Sequence, residues 1–264
     1  MAITLQQSQS ILRVQHNQRK AYLNKWAVNW NNYYLAQMKI YFEEGNTNRM
    51  FLEPVTQEVL TATYVDVGTQ FAKFGFASVK SNAFNFEYKA AADEMVGWTE
   101  AMIRYSRTYG AKSVVSINAT GQAEAEKIIQ QIIADSIEQG LGADATAQYI
   151  EDQIWLEWRH ASKFNALRIA RTEIIAASNR GAFEGAKSTG LEQVKIWLTV
   201  MDGRERDSHA AANRQTVKMD ERFAVGGELL NTPVSGSIPE NNIQCRCGVH
   251  YQAIEMRPNR VTFN

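Results

Sequence analysis

Through the first 110 residues, apolar positions recur at helical intervals. Leu12, Leu23, Trp26, Trp30, Tyr33, Tyr34, Met38 and Tyr41 follow one another, and spacings of three or four dominate after Leu23. Neither proline nor glycine interrupts residues 9–44, and Gly45–Asn46 supplies a C-terminal stop. Pro54 suits the first turn of a second helix reaching Lys80, although β-branched residues, Gly68 and Gly75 dilute that pattern. A third helical segment spans residues 91–114 and ends near Gly110.

From residue 118 the segments shorten. Ile128, Ile129, Ile132, Ile133 and Ile137 form one stripe that Gly140 closes, and Asp144 can cap a helix over residues 145–158. A longer helix follows over residues 160–190, with Gly190 as its stop. Its small residues Ala166, Ala170, Ala177, Gly181 and Gly185 form a stripe that lets another backbone approach closely. After Gly190 the period shifts. "VKIWLTV" reads as a strand, four turn signals follow between Asp202 and Gly236, and "CRCGVHYQAIEM" reads as a last strand. The expected fold is α+β and predominantly helical: long N-terminal helices over residues 1–117, then a unit over residues 118–264 that closes in short strands.

Composition adds limits. The 45% hydrophobic content is enough for a sizeable core in 264 residues. Lys plus Arg balance Asp plus Glu at 28 each, so the whole chain exerts no net pull on nucleic acid or membrane, leaving only a local patch open. The N-terminus lacks the apolar run of a signal peptide, and no window approaches ~18 consecutive apolar residues. The expectation is a soluble protein made in the cytosol, or an assembly component. Eleven aromatics between Trp26 and Phe76 admit two readings: a stacking platform for single-stranded nucleic acid, or core and protein interface. Charge neutrality favours the second.

Candidate chemistry collects near the C-terminus. Cys245 and Cys247 are the two cysteines, and a bridge between them would close a small, strained ring, so both read as reduced thiols. On a strand, residues two apart share a face. Together with Asp202 and His209 they supply a tetrahedral zinc set, with His250 as a substitute ligand. Such an ion would stabilise a sheet too short to bury much apolar surface. The alternatives are ordinary small side chains on a strand face beside a hydrogen-bonded His209, or a nucleophilic cysteine with histidine as base. Arg171 and Glu173, two apart on a helix, point in different directions, and one or both are expected to form ion pairs to the C-terminal unit, a reading favoured over a catalytic role. No phosphate-binding glycine loop, G-x-S-x-G or H-E-x-x-H appears.

The block "ALRIARTEIIAASNRGAFEGAKSTG", then "VKIWLTVMDGRERDSH", then "NNIQCRC", resembles the Mu F-like minor head proteins, the head morphogenesis family of tailed bacteriophages. The matching positions are Ile169 to Glu173, Lys195 to Trp197, Asp202, Arg204, Arg206, His209, Pro239 and Asn242 to Cys247. Gly181 stands where alanine is usual, and Ile243 and Gln244 separate the asparagine from the cysteine pair. The resemblance spans residues 120–256. It implies a non-enzymatic virion component made in the host cytoplasm, with the portal and major capsid proteins as partners. Self-association and contact with packaged DNA are compatible with that role, and no membrane partner is. Arg171, Glu173, Arg204 and Arg206 would then buttress the Asp202, His209, Cys245 and Cys247 set. Related domains in bacterial toxins are fused to catalytic modules, so the rival expectation is an ADP-ribosyltransferase or metal-dependent nuclease.

Overall fold

The computed structural model describes residues 3–81, 88–139 and 143–254. Five long helices form the body: α1 (Leu5–Glu44), α2 (Glu53–Ser81), α3 (Ala92–Thr108), α4 (Ala111–Glu138) and α5 (Ala143–Ser188). Thr4 and Gln7 close a reciprocal capping box at the start of α1, and Gly45 ends it in the left-handed conformation. The Gly140 stop lies outside the described residues, as do the side chain of Asp144 and residues beyond 254.

One helix replaces two that the pattern predicts. The chain runs unbroken from Ala143 to Ser188, with no interruption near residue 159. Neither glycine nor proline stands at that junction, and Ile154, Trp158 and Ser162 are fully buried on one continuous stripe. The expected boundary between residues 117 and 118 falls inside α4.

Helix α5 is the spine, and α2 packs against it backbone to backbone. A Cβ at Gly181 would run into the Gly68 carbonyl, and one at Gly185 into the Ala72 carbonyl. The small-residue stripe therefore does what its composition suggests, and Gly68 is a contact point rather than a weak spot in α2. The N-terminal aromatics are core: Trp26, Trp30, Tyr33, Tyr34, Phe51, Tyr64, Phe71, Phe74 and Phe76 are all buried. Tyr34 stacks on Trp158, whose Nε1 donates to the Tyr34 carbonyl at 2.9 Å. The other two, Tyr41 and Phe42, are half-buried: they meet edge to face, and Phe42 stacks on Trp155. Among the described residues no helix is long and apolar enough to cross a membrane.

The C-terminal unit holds a three-stranded antiparallel sheet in the order β2 (Thr216–Lys218), β1 (Gln193–Leu198), β5 (Gly248–Ala253). A hairpin of β3 (Phe223–Val225) and β4 (Glu228–Leu230) lies beside it, with two short helices, α6 (Asp207–Ala211) and α7 (Pro239–Asn242). Side chains alternate between faces. Trp197 and Tyr251 join Phe223 and the α5 residues Ala182, Phe183 and Ala186. Ile196 and Leu198 point the other way, onto Ile11 and Leu12 of α1 and Phe74 of α2. The unit is thus wedged against the helical body on both faces.

Candidate metal centre

The two cysteines are not on the last strand. They sit in the loop before β5, because Gln244 takes a positive φ of 55° and the chain folds back. The Cys247 amide then donates toward Cys245 Sγ at 3.4 Å, so both thiols face one buried point. One-turn helix α6 brings His209 to the same point. Its backbone carbonyl accepts from Thr199 Oγ1 at 2.6 Å, and its ring meets Trp197 edge to face.

His209 Nδ1 lies 3.3 Å from Cys247 Sγ and 3.7 Å from Cys245 Sγ, and the three donor atoms fall within 4.8 Å of one another. Tetrahedral zinc with donors at about 2.1–2.3 Å sets neighbouring ligands ~3.5–3.8 Å apart, so the spacing fits. All three side chains are buried. His209 Nε2 is buried with no hydrogen-bond partner among the described residues. The Cys247 side chain and His209 hydrogen-bond Cys245 and hold its thiol well below the usual range, while Cys247 is pushed up by its hydrogen bond to Cys245 and by burial. One thiolate is therefore stabilised within the cluster, the form that a metal takes.

Two expected ligands are elsewhere. Asp202 binds Arg246 in fork geometry, at 2.6 and 2.8 Å, and takes Arg204 Nη2 at 2.7 Å. Those guanidinium groups, Arg246 first, hold its carboxyl far below the normal range. An arginine-saturated carboxylate is committed to that pairing. His250 pairs with Ile196 across β1 and β5, which turns it to the α1 side, away from the thiols. The described residues thus offer three ligands, and a fourth position would fall to a solvent or hydroxyl oxygen. Thr199 Oγ1 lies 3.7 Å from Cys247 Sγ.

The supporting residues also rearrange the expectation. Arg206 Nη2 donates to the Ile243 carbonyl at 2.6 Å and so braces the cysteine loop. Arg171 and Glu173 diverge as their spacing requires, yet neither forms an ion pair among the described residues. Glu173 is buried and accepts from Tyr64 Oη at 3.0 Å, and burial pushes its carboxyl up to about 7. Thr172, between them, touches the site: its Oγ1 accepts from the Gln244 amide at 3.2 Å.

Sequence reasoning missed the strongest support. Arg19 of α1 is 4% exposed and donates to Ser178 Oγ at 2.8 Å, Asn179 Oδ1 at 3.1 Å and the Cys247 carbonyl at 3.4 Å. Asn179 Nδ2 donates to that same carbonyl at 3.1 Å, and Gln15 Nε2 donates to the Val249 carbonyl at 3.0 Å. Burial lowers the Arg19 pKa to about 10. Nothing in the α1 pattern marks Arg19, since an arginine on a polar-rich helix reads as exposed.

No solved structure matches the chain. An NAD(+)--arginine ADP-ribosyltransferase EFV of Enterococcus faecalis (strain ATCC 700802 / V583) is 32% identical over 103 residues, which covers 38% of this chain and 21% of that protein. The chain therefore spans about a fifth of that relative's length. The family described as Phage Mu protein F like protein matches residues 127–250, from α4 to the middle of β5, and takes in His209, Cys245 and Cys247. Residues 127–250, just under half of this chain, are thus similar to the Phage Mu protein F like family.

Proposed function

We propose that this chain is a structural minor head protein of a tailed bacteriophage, working with the portal protein in head assembly, packaging or genome delivery. The observation that carries this reading is the family match over residues 127–250. The local architecture is consistent with it. The three side chains with metal-binding chemistry are buried and join α6 to the loop before β5, as a clasp does. In this reading zinc sits between them and stabilises the fold, and Arg19, Asn179, Thr172 and Arg206 hold the loop in place. The N-terminal helices over residues 1–117 would present the surface that meets portal or capsid, within the virion and, before that, in the host cytoplasm. Co-expression with the cognate portal protein tests the proposal. Co-purification in a ring-sized complex is expected, and a chain that stays free of portal and is absent from purified particles sinks it.

A second reading follows from the similarity to the Enterococcus faecalis protein named as an arginine ADP-ribosyltransferase. The aligned part is a fifth of that protein, so the two chains share one segment and the transferase activity can belong to the rest of it. Transfer of labelled ADP-ribose from NAD to an arginine analogue would establish the enzyme reading. A magnesium-dependent nuclease is disfavoured at this cluster, since thiolates are poor ligands for magnesium.

A further inference from the structure

A chain with no net charge concentrates positive charge in one place. A pocket of about 560 Å³ opens beside the Cys245 loop. Four segments distant in sequence contribute six basic side chains to it: Arg19 and Lys20 from α1, Arg171 from α5, Arg204 and Arg206 from the β1–α6 connection, and Arg246. No acidic side chain lines it among the described residues. Asp202, bonded to Arg246 and Arg204, offsets one of these charges. Arg19, buried beside the pocket, has no carboxylate partner among the described residues, and exposed Lys20 and Arg171 have none either. His16, on the same wall, is held below its normal pKa by burial and then by Arg19, Lys20 and Arg246.

So many like charges around one cavity repel one another unless an anion joins them. A lone carboxylate would neutralise one. Several cationic side chains around one space match an anion with many acceptor oxygens and several negative charges. We propose that this pocket binds phosphate groups, Lys20 and Arg171 acting as its free cations and Arg204, Arg206 and Arg246 as braced ones. The phosphates come from a free polyphosphate or nucleotide, or from the backbone of a nucleic-acid strand. The pocket stands on its own lining residues, whether or not the chain serves in a phage head.

The full chain tests this with two probes at low salt: inorganic triphosphate by calorimetry, and a short fluorescein-labelled DNA strand by anisotropy. The comparison variant is Lys20→Gln with Arg171→Gln, both exposed and without side-chain hydrogen bonds among the described residues, so its ligand-free Tm is expected to match the parent. Lys127→Gln on α4 is the control. Triphosphate is expected to bind, to raise Tm, and to bind at least about tenfold more weakly to the double variant, as loss of charge-assisted bonds implies. If the DNA strand binds and triphosphate does not, with the same loss in the double variant, the source is the nucleic-acid backbone. Binding of neither probe overturns the proposal, and so does binding that the double variant retains in full.

Discussion

His209 Nδ1 stands 3.3 Å from Cys247 Sγ, so a one-turn helix and the loop before the last strand meet through buried side chains 38 residues apart. Cys245 completes the contact at 3.7 Å. Apolar burial alone holds these segments weakly, because α6 has five residues and the cysteine loop has no strand pairing of its own. The polar contact therefore carries the connection.

Replacing both cysteines, Cys245→Ser with Cys247→Ser, should loosen that connection. A loss of about 2–4 kcal/mol is expected, a Tm drop of roughly 5–15 °C for a chain of this size. Elemental analysis of the purified parent protein should find one zinc per chain, lost in the double variant, and chelation should lower the parent Tm only. Protein prepared with zinc present throughout and still free of it would remove the metal from the account.

Arg19→Met keeps the apolar stem of the side chain while removing the guanidinium. The Cys247 carbonyl keeps Asn179 as donor, but Ser178 Oγ and Asn179 Oδ1 lose the guanidinium that donates to them. The expected loss is about 1–3 kcal/mol, with amide exchange in β5 accelerated relative to α4. An unchanged melting temperature and uniform exchange would show that α1 does not brace the cysteine loop.

Glu173 gives the stability a pH dependence of definite sign. Its carboxyl titrates at about 7 in the fold against an ordinary value of 4.5. Below about 4.5 the group is protonated folded or unfolded, and its burial costs least. Between about 4.5 and 7 the unfolded chain releases the proton while the folded one keeps it, so stability falls as pH rises. Above 7 the cost is complete, roughly 3 kcal/mol. Glu173→Gln should flatten this slope in a Tm series from pH 5 to pH 8. A variant whose Tm tracks the parent across the series would contradict the assignment.

Gly181→Val tests the closeness of α2 and α5. A Cβ at Gly181 meets the Gly68 carbonyl, which is backbone and cannot rotate aside. The helices must separate, at a cost of about 3 kcal/mol or more. The same change at Gly97, where a Cβ meets nothing within 4 Å, should be far milder. Equal effects at the two positions would refute the close packing.

Local grammar was readable without coordinates. The proline-free periodicity of α1, its stop at Gly45, the stop at Gly190 and the β-branched run of β1 each depend on residues within a turn or a strand of one another. The small stripe on α5 was readable too, because only a close backbone neighbour explains glycines at residues 181 and 185. Proximity in space was another matter. His209 and the cysteine pair were matched by residue type and by family resemblance, and the fold brought them together. Asp202 carried the same signal and went to Arg246, since a fork of two guanidinium bonds outcompetes a shared place among thiols. Arg19 meets Cys247 across 228 residues, and the six basic side chains of the pocket come from four segments. Spacing along a chain sets which face of a helix or strand a residue occupies. Which faces meet, and which charges are left facing a common cavity, is decided by how the helices and the sheet pack.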